Sequence, residues 1–141
     1  MRFRTVHVGL LIVAGWGGVA FAGSENAQQP LLDVYAANAK SLDNGFTGFS
    51  AERGKTLFTS RFPGGKPDTP SCTACHTPDP TKMGQTRAGK DIDPMAVSVN
   101  PKRYSDQEKA EKWFGRNCRN VLGRECTATE KGDFITFLLT Q

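Results

Sequence analysis

The residues whose types and spacing point most directly to chemistry are Cys72, Cys75 and His76, in the stretch Cys72-Thr73-Ala74-Cys75-His76. The C-x-x-C-H pattern attaches a c-type haem. Two cysteines three positions apart lie on one face of a helical turn, so both thiols can reach the vinyl groups along one side of a porphyrin. His76, the next residue, then supplies the proximal imidazole to the iron. The motif predicts one covalently attached haem c.

Two other functions of a C-x-x-C pair fit the sequence less well. A four-cysteine zinc site would need Cys118 and Cys126 as its second pair, but seven residues separate them, which is too many for a zinc knuckle. A thioredoxin-like dithiol belongs beside a βαβ pattern, and the sequence shows none. Haem attachment is therefore the favoured interpretation.

The N-terminus has the composition of a secretory signal peptide. Arg2 and Arg4 form a short basic region, an apolar stretch follows from Val6 to about Val19, and Ala20-Phe21-Ala22 fits a small-x-small cleavage site. The apolar stretch is short and rich in glycine for a spanning helix, which needs about 20 apolar residues. We therefore expect residues 1–22 to be removed and the mature protein to lie in the periplasm, where a disulfide can form.

Removal of residues 1–22 leaves 119 residues, the size of one small domain, and lowers the formal net charge from +4 to +2. The sequence has no block of like charge, so nucleic-acid binding is not indicated. Cys118 and Cys126 remain as two cysteines outside the haem motif. In an oxidising compartment we expect them to pair.

The mature chain has helical patterns separated by long loops. A weak helix is predicted over residues 31–42, and a second begins after the capping residue Ser50 and runs to about Ser60. Proline and glycine mark residues 62–71 as a loop. Residues 77–104 contain four prolines and little apolar periodicity, so we expect them to cover the haem as an irregular layer.

Two capping boxes predict the last helices. Ser105-Asp106-Gln107-Glu108 and Thr127-Ala128-Thr129-Glu130 each precede apolar residues at helical spacing. No strand pattern is visible. The sequence therefore predicts an all-α, cytochrome c-like haem domain over residues 50–141, with the second and last helices packed together. Residues 23–49 are predicted to be an N-terminal extension with a weak helix.

Composition alone does not identify the sixth ligand of the iron. His76 is the only histidine left after removal of His7, so a second histidine cannot bind the same iron. Met83 follows His76 too closely to pass around the haem edge. Met95 follows Pro94 in a loop, like the methionine of ordinary electron carriers, although it comes only nineteen residues after His76. An ordinary low-spin class I cytochrome c with His76 and Met95 as axial ligands therefore stays open at this point.

Four segments of the chain resemble the sphaeroides haem protein family, oxygen-binding monohaem c-type cytochromes related to the redox-Bohr cytochrome c″. The resemblance covers most of residues 50–141 and lies in the segments GKPDTPSC (65–72), GQTRAGK (84–90), EKWFGRNC (111–118) and VLGREC (121–126). It implies that Asn117, just before the first disulfide cysteine, is the distal ligand and that Met95 is not. It also implies a small dihaem cytochrome c and a membrane cytochrome b as redox partners.

The chemistry of an asparagine ligand suggests what the iron would do. An amide oxygen is a hard, weak ligand that tolerates Fe(III) and binds the softer Fe(II) poorly. Reduction should therefore release Asn117 and open a position for O₂, NO or CO.

Three classes of function follow from these alternatives: a monohaem electron-transfer protein that also binds small gases, an ordinary carrier, and an enzyme such as a peroxidase or oxygen reductase. The enzyme would need an acid–base group, and the mature sequence offers no distal histidine. We therefore expect an electron carrier rather than an enzyme. Arg87 and Lys90, cationic residues in the predicted covering loop, are the candidate contacts of the haem propionates.

Overall fold

A computed structural model describes residues 26–141, and the predicted signal peptide over residues 1–22 lies outside this range. This part of the chain is all-α apart from one short antiparallel hairpin. Its elements in order are α1 (Gln29–Leu42), α2 (Ala51–Thr59), α3 (Thr73–His76), β1 (Gly84–Gln85), β2 (Asp91–Ile92), α4 (Gln107–Leu122) and α5 (Ala128–Leu139). Within residues 26–141, no helix is long and apolar enough to cross a membrane.

Helix α1 belongs to the main core. It begins at Gln29, two residues before the predicted start. Pro30 lies in its first turn, where backbone N–H groups have no acceptor within the helix, so the missing N–H of proline breaks no helical hydrogen bond. Leu31, Leu32 and Tyr35 are buried in the same cluster as the apolar face of α5. The helix of the predicted N-terminal extension over residues 23–49 therefore closes one side of the core.

Helices α2 and α5 pack against each other, as the sequence predicted. Ser50 caps α2 by accepting a hydrogen bond from the Arg53 backbone N–H at 3.2 Å. Gly54 allows the close approach, because a β-carbon at this position would collide with the backbone carbonyl of Asp133 and with Phe137. The Arg53 guanidinium also binds the buried carboxylate of Asp133 at 2.6 Å. The contact between these helices thus combines a small residue with an ion pair.

The two predicted capping boxes have different outcomes. At α5 the box is present: the Glu130 N–H donates to Thr127 Oγ1, and the Thr127 N–H donates to the Glu130 carboxylate. At α4 the prediction of Ser105 as the cap is wrong. Asp106 caps the helix by accepting from the Lys109 N–H at 3.0 Å, while the Ser105 hydroxyl donates to a preceding backbone carbonyl. Because Lys109 occupies the third helical position, no side-chain carboxylate is available there to complete a box.

The covering segment over residues 77–104 is more ordered than the sequence predicted. Gly84–Gln85 pairs with Asp91–Ile92 as a hairpin that turns at Gly89, which has a φ of 76°. Strands of two residues are too short to produce a visible alternation, which explains why none was predicted. Pro80 O accepts hydrogen bonds from the backbone N–H groups of Met95 and Ala96, at 2.8 and 2.9 Å. These bonds close the covering segment into a defined loop.

Aromatic side chains join the helices at the centre of the molecule. The Phe114 ring of α4 lies 5.7 Å from that of Phe134 in α5 and 6.2 Å from those of Tyr35 in α1 and Tyr104 in the covering segment. Phe58 of α2 contacts Phe134 at 5.9 Å. These centroid distances fall in the favourable range for aromatic pairs. The cluster therefore connects α1, α2, α4 and α5 with the loop that precedes α4.

We expect Gly54→Ala to destabilise the fold by about 1–3 kcal/mol, because the new methyl group must push α5 away from α2. Gly115→Ala is the matched control, since a β-carbon there meets only the flexible end of the Arg119 side chain. In that variant the better helix propensity of alanine should be neutral or stabilising by up to about 1 kcal/mol. Chemical denaturation of both variants measures the difference. Equal effects at the two glycines would contradict the packing described here.

Candidate haem-binding site

The motif residues Cys72, Cys75 and His76 lie on a single helical turn. Helix α3 spans Thr73–His76, and the backbone N–H groups of Cys75 and His76 both donate to Cys72 O, at 3.3 and 3.1 Å. Cys72 and Cys75 are free thiols, whereas Cys118 and Cys126 are joined to each other. The two cysteine pairs therefore have separate roles, and a four-cysteine zinc site is not formed among the described residues.

The Cys72 side chain is partly buried and packs against the core cluster. Its Sγ lies 4.0 Å from the carbonyl oxygen of Leu57 in α2. Burial raises the pKa of Cys72 to about 11, and the neighbouring thiol of Cys75 adds to the increase. The neutral thiol is therefore favoured at this position, which argues against Cys72 as a thiolate ligand of a metal ion.

His76 is a half-buried residue whose Nδ1 atom is buried. Within the described residues, its Nδ1 has no hydrogen-bond partner. Burial, and then the positive charge of Arg103, lower the pKa of His76 to about 4. The imidazole is therefore uncharged at neutral pH, which is the form that binds a metal. A buried, unpaired ring nitrogen beside two free thiols fits a covalently held iron porphyrin.

The hairpin of the covering segment packs directly on this turn. A β-carbon at Gly84 would collide with the carbonyl oxygen of Cys75, so no larger residue fits there. Thr77, directly after His76, has a φ of 60°, which is unfavourable for a β-branched residue. The chain thus changes direction sharply after the proximal histidine and returns over α3 as β1.

Met95, the alternative axial ligand, is buried with its sulfur in contact with other side chains. The Arg103 guanidinium donates to Met95 Sδ at 2.9 Å, and the Tyr104 hydroxyl lies 3.7 Å from the same sulfur. Met83 is 52% exposed. The structure therefore packs the Met95 thioether into the core beneath a cation.

Asn117 lies in α4 at the edge of its buried face. Phe114 precedes it by three residues and Val121 follows by four, and both are buried, while Asn117 itself is half-buried. Side chains at these spacings share one face of a helix. The adjacent Cys118 is joined to Cys126, with the two α-carbons 5.6 Å apart. Asn117 is thus on the inner face of a helix whose next residue is covalently held.

The loop that leads into the haem motif also holds the end of α4. The Lys66 N–H and the Thr69 hydroxyl both donate to Asn120 O, at 2.7 and 3.1 Å. The loop is closed on itself by a bond from the Phe62 N–H to Pro70 O at 2.7 Å. One closed loop therefore fixes the segment before Cys72 against the helical turn that follows Asn117.

Arg87 and Lys90, the cations predicted to bind the propionates, are exposed at the surface of the covering segment. Arg87 donates to Asp68 O at 3.1 Å, its Nε is 4.0 Å from the Asp68 carboxylate, and both side chains are largely exposed. Lys90 is exposed in the hairpin turn. Their role as propionate contacts stays a prediction. Sequence reasoning did not single out Arg103, a half-buried cation of the same segment, because the segment has no periodicity that would indicate which of its cations is buried.

Comparison with known proteins identifies the relatives of this chain. Residues 44–138 match the model of a domain of unknown function, DUF1924. The chain is 46% identical over 132 residues to cytochrome c-type protein SHP of Cereibacter sphaeroides, covering 94% of this chain and 97% of that protein. It is 37% identical over 125 residues to cytochrome c″ of Methylophilus methylotrophus, covering 86% and 85%.

Solved structures give the same result for the fold. The structure of oxidised SHP, described as an oxygen binding cytochrome c, superposes with a TM-score of 0.74 at 48% identity and covers 81% of this chain and 96% of that one. Oxidised cytochrome c″ from M. methylotrophus superposes with a TM-score of 0.71 at 34% identity, covering 82% and 94%. With its C-x-x-C-H motif on a helical turn, its all-α fold and this degree of identity over nearly its whole length, the chain belongs to the sphaeroides haem protein family of c-type cytochromes.

Proposed function

We propose that this protein is a periplasmic monohaem c-type cytochrome that transfers electrons, and that its distal ligand Asn117 is released on reduction so that a small diatomic molecule can bind. The observation that carries the proposal is the placement of Asn117 on the inner face of α4, one turn before the point where the loop leading to Cys72 is bonded to that helix.

In this proposal Cys72 and Cys75 hold the haem through thioether bonds and His76 is the proximal ligand in both redox states. When bound, the haem supplies an iron that alternates between Fe(III) and Fe(II) and has a position for an exogenous ligand. The chain keeps His76 neutral by burial, so no proton has to leave this imidazole before it binds.

Asn117 provides the selectivity between oxidation states. Its amide oxygen is a hard donor, which suits Fe(III) and is weak towards Fe(II). Once released, the same amide can donate a hydrogen bond from its NH₂ group to a small ligand nearby. The related SHP is described as an oxygen binding cytochrome c, which supports O₂, with NO and CO as ligands of the same class.

The neighbours of Asn117 limit how far it can move. We propose that the Cys118–Cys126 disulfide persists in the exported protein, and that it keeps the end of α4 in place while Asn117 leaves and returns. The two hydrogen bonds to Asn120 O act in the same direction. A restrained ligand returns to the iron quickly after oxidation, because little conformational freedom has to be lost again.

The ordinary carrier with His76 and Met95 as axial ligands is less well supported. Its ligand sulfur would have to leave the contacts with Arg103 and Tyr104. The redox partners implied by the resemblance, a small dihaem cytochrome c and a membrane cytochrome b, remain part of the proposal.

Intact mass spectrometry of the exported protein tests the covalent chemistry. We expect a chain that begins at Gly23 and carries the mass of one haem, less two hydrogen atoms for the disulfide. The double substitution Cys72→Ala and Cys75→Ala should abolish the haem mass, because attachment depends on those thiols. A haem that dissociates on denaturation of the unmodified protein, or a mass with two free thiols at Cys118 and Cys126, would contradict the corresponding part of the proposal.

Asn117→Ala should leave the haem attached and speed the binding of exogenous ligands to the ferric protein. With the internal ligand gone, we expect at least about tenfold tighter ligand binding, the effect of removing a competitor worth roughly 1.4 kcal/mol. Stopped-flow absorbance with azide or imidazole as the ligand measures the association and dissociation rates, and their ratio gives the affinity. Asn120→Ala is the matched control, since it changes an asparagine of the same helix whose backbone carbonyl, not its amide, makes the contacts with the loop.

Met95→Leu should leave the absorption spectrum of the oxidised protein nearly unchanged, because it conserves volume at a position that does not bind iron. If Met95→Leu instead converts a low-spin spectrum to a high-spin one, while Asn117→Ala has no effect, the protein is an ordinary electron carrier and the gas-binding proposal fails.

A further inference from the structure

Arg103 is a cation near the end of the covering segment, and no carboxylate within residues 26–141 forms an ion pair with it. Its guanidinium is half-buried, donates to Met95 Sδ at 2.9 Å and lies 5.9 Å from the centre of the Tyr104 ring. The carboxylates of the described residues form five ion pairs, and none involves Arg103. A thioether is a weak acceptor and leaves most of the five donors of an arginine unused. The guanidinium therefore keeps donors and positive charge that an anion could use.

The protein uses two unusual features to hold this arginine in place. Gln28 is only 1% exposed, and its side-chain amide donates to Pro101 O at 2.8 Å and to Arg103 O at 2.7 Å. Tyr104 has a φ of 62°, a conformation that is unfavourable for an aromatic residue. Burying the Gln28 amide and holding Tyr104 at a positive φ both cost free energy, and a freely solvated surface charge would need neither. They fix the backbone on both sides of the Arg103 side chain.

The same segment faces the haem-attachment turn. The Arg103 guanidinium contacts Met95 Sδ, and the Met95 backbone N–H donates to Pro80 O at 2.8 Å, four residues after His76. Cys72 and Tyr104 pack against the same hydrophobic cluster. Arg87, by contrast, is hydrogen-bonded to the Asp68 backbone and lies near its carboxylate on the surface. Of these two arginines, Arg103 is the one that contacts the core under the covering segment and, within residues 26–141, forms no ion pair with an acid.

We infer that Arg103 binds a carboxylate group of the haem, the propionate, and that it does so in place of Arg87 or Lys90. A guanidinium matches a carboxylate with two parallel hydrogen bonds, and a partly buried pair of this kind is strong. The inference rests on the covalent haem of the proposed function, but it does not depend on Asn117. It assigns the buried Gln28 a purpose, which is to position a haem-binding residue 75 positions away in the chain.

The test uses the holoprotein with its covalent haem and compares Arg103→Gln with Arg87→Gln as the matched control. Two quantities are measured: the frequency of the propionate bending band in the resonance Raman spectrum, and the equilibrium constant for reduction against a dye of known potential. A cation near the iron favours the reduced state, so Arg103→Gln should lower this equilibrium constant about tenfold, or about 59 mV for one electron. It should also shift the propionate band, and Arg87→Gln should change neither quantity.

Arg103→Lys separates charge from geometry. It retains the positive charge but has no planar fork, so it should restore most of the equilibrium constant without restoring the position of the propionate band. If Arg103→Gln does not fold, the propionate band of Arg103→Lys still tests the inference. A propionate band shifted by Arg87→Gln, or unchanged in both Arg103 variants, would overturn the inference. Because Asn117 is unchanged throughout, ferric ligand-binding rates equal to those of the unmodified protein show that such a failure concerns Arg103 alone.

Discussion

The contact on which the structure depends most is the packing of Phe114 against aromatic rings from three other parts of the chain. Tyr35, Tyr104 and Phe134 each place a ring centre within 6.2 Å of it, from α1, the covering segment and α5. Since Asn117 follows Phe114 by about one helical turn, the packing of Phe114 also holds the part of α4 that bears the proposed distal ligand. Tyr104 likewise sets the position of the preceding Arg103.

Helix α4 is held firmly on both sides of Asn117. Near its start, the Glu111 carboxylate accepts from the Tyr35 hydroxyl and from Lys131 Nζ, each at 2.6 Å, which ties α4 to α1 and α5. Burial raises the pKa of Tyr35, so its hydroxyl stays protonated and keeps donating. Near its end, the helix is held by the Cys118–Cys126 pair and by the loop before the haem motif. Under the proposed function, Asn117 lies between these two attachments and could leave the iron without unfolding of its helix.

The parts of this account that the sequence predicted are those encoded locally. The turn bearing Cys72, the cap at Ser50 and the box at Thr127 depend on a few adjacent residues, and each was found where it was predicted. Asn117 was singled out by resemblance, because a lone asparagine near a helix end is ordinarily a cap or turn residue. The role inferred for Arg103 could not be predicted, because its loop is positioned by Gln28, 75 residues earlier in the chain.

The central claim is that Asn117 binds the iron only in the oxidised protein. Crystal structures of the same crystal before and after reduction test it most directly, because they give the distance from the iron to the amide oxygen in both states. We predict that Asn117 Oδ1 lies at bonding distance in the oxidised crystal and has moved away in the reduced one, with His76 bound in both. An iron bound to Met95 Sδ, or to Asn117 in both states, would contradict the account.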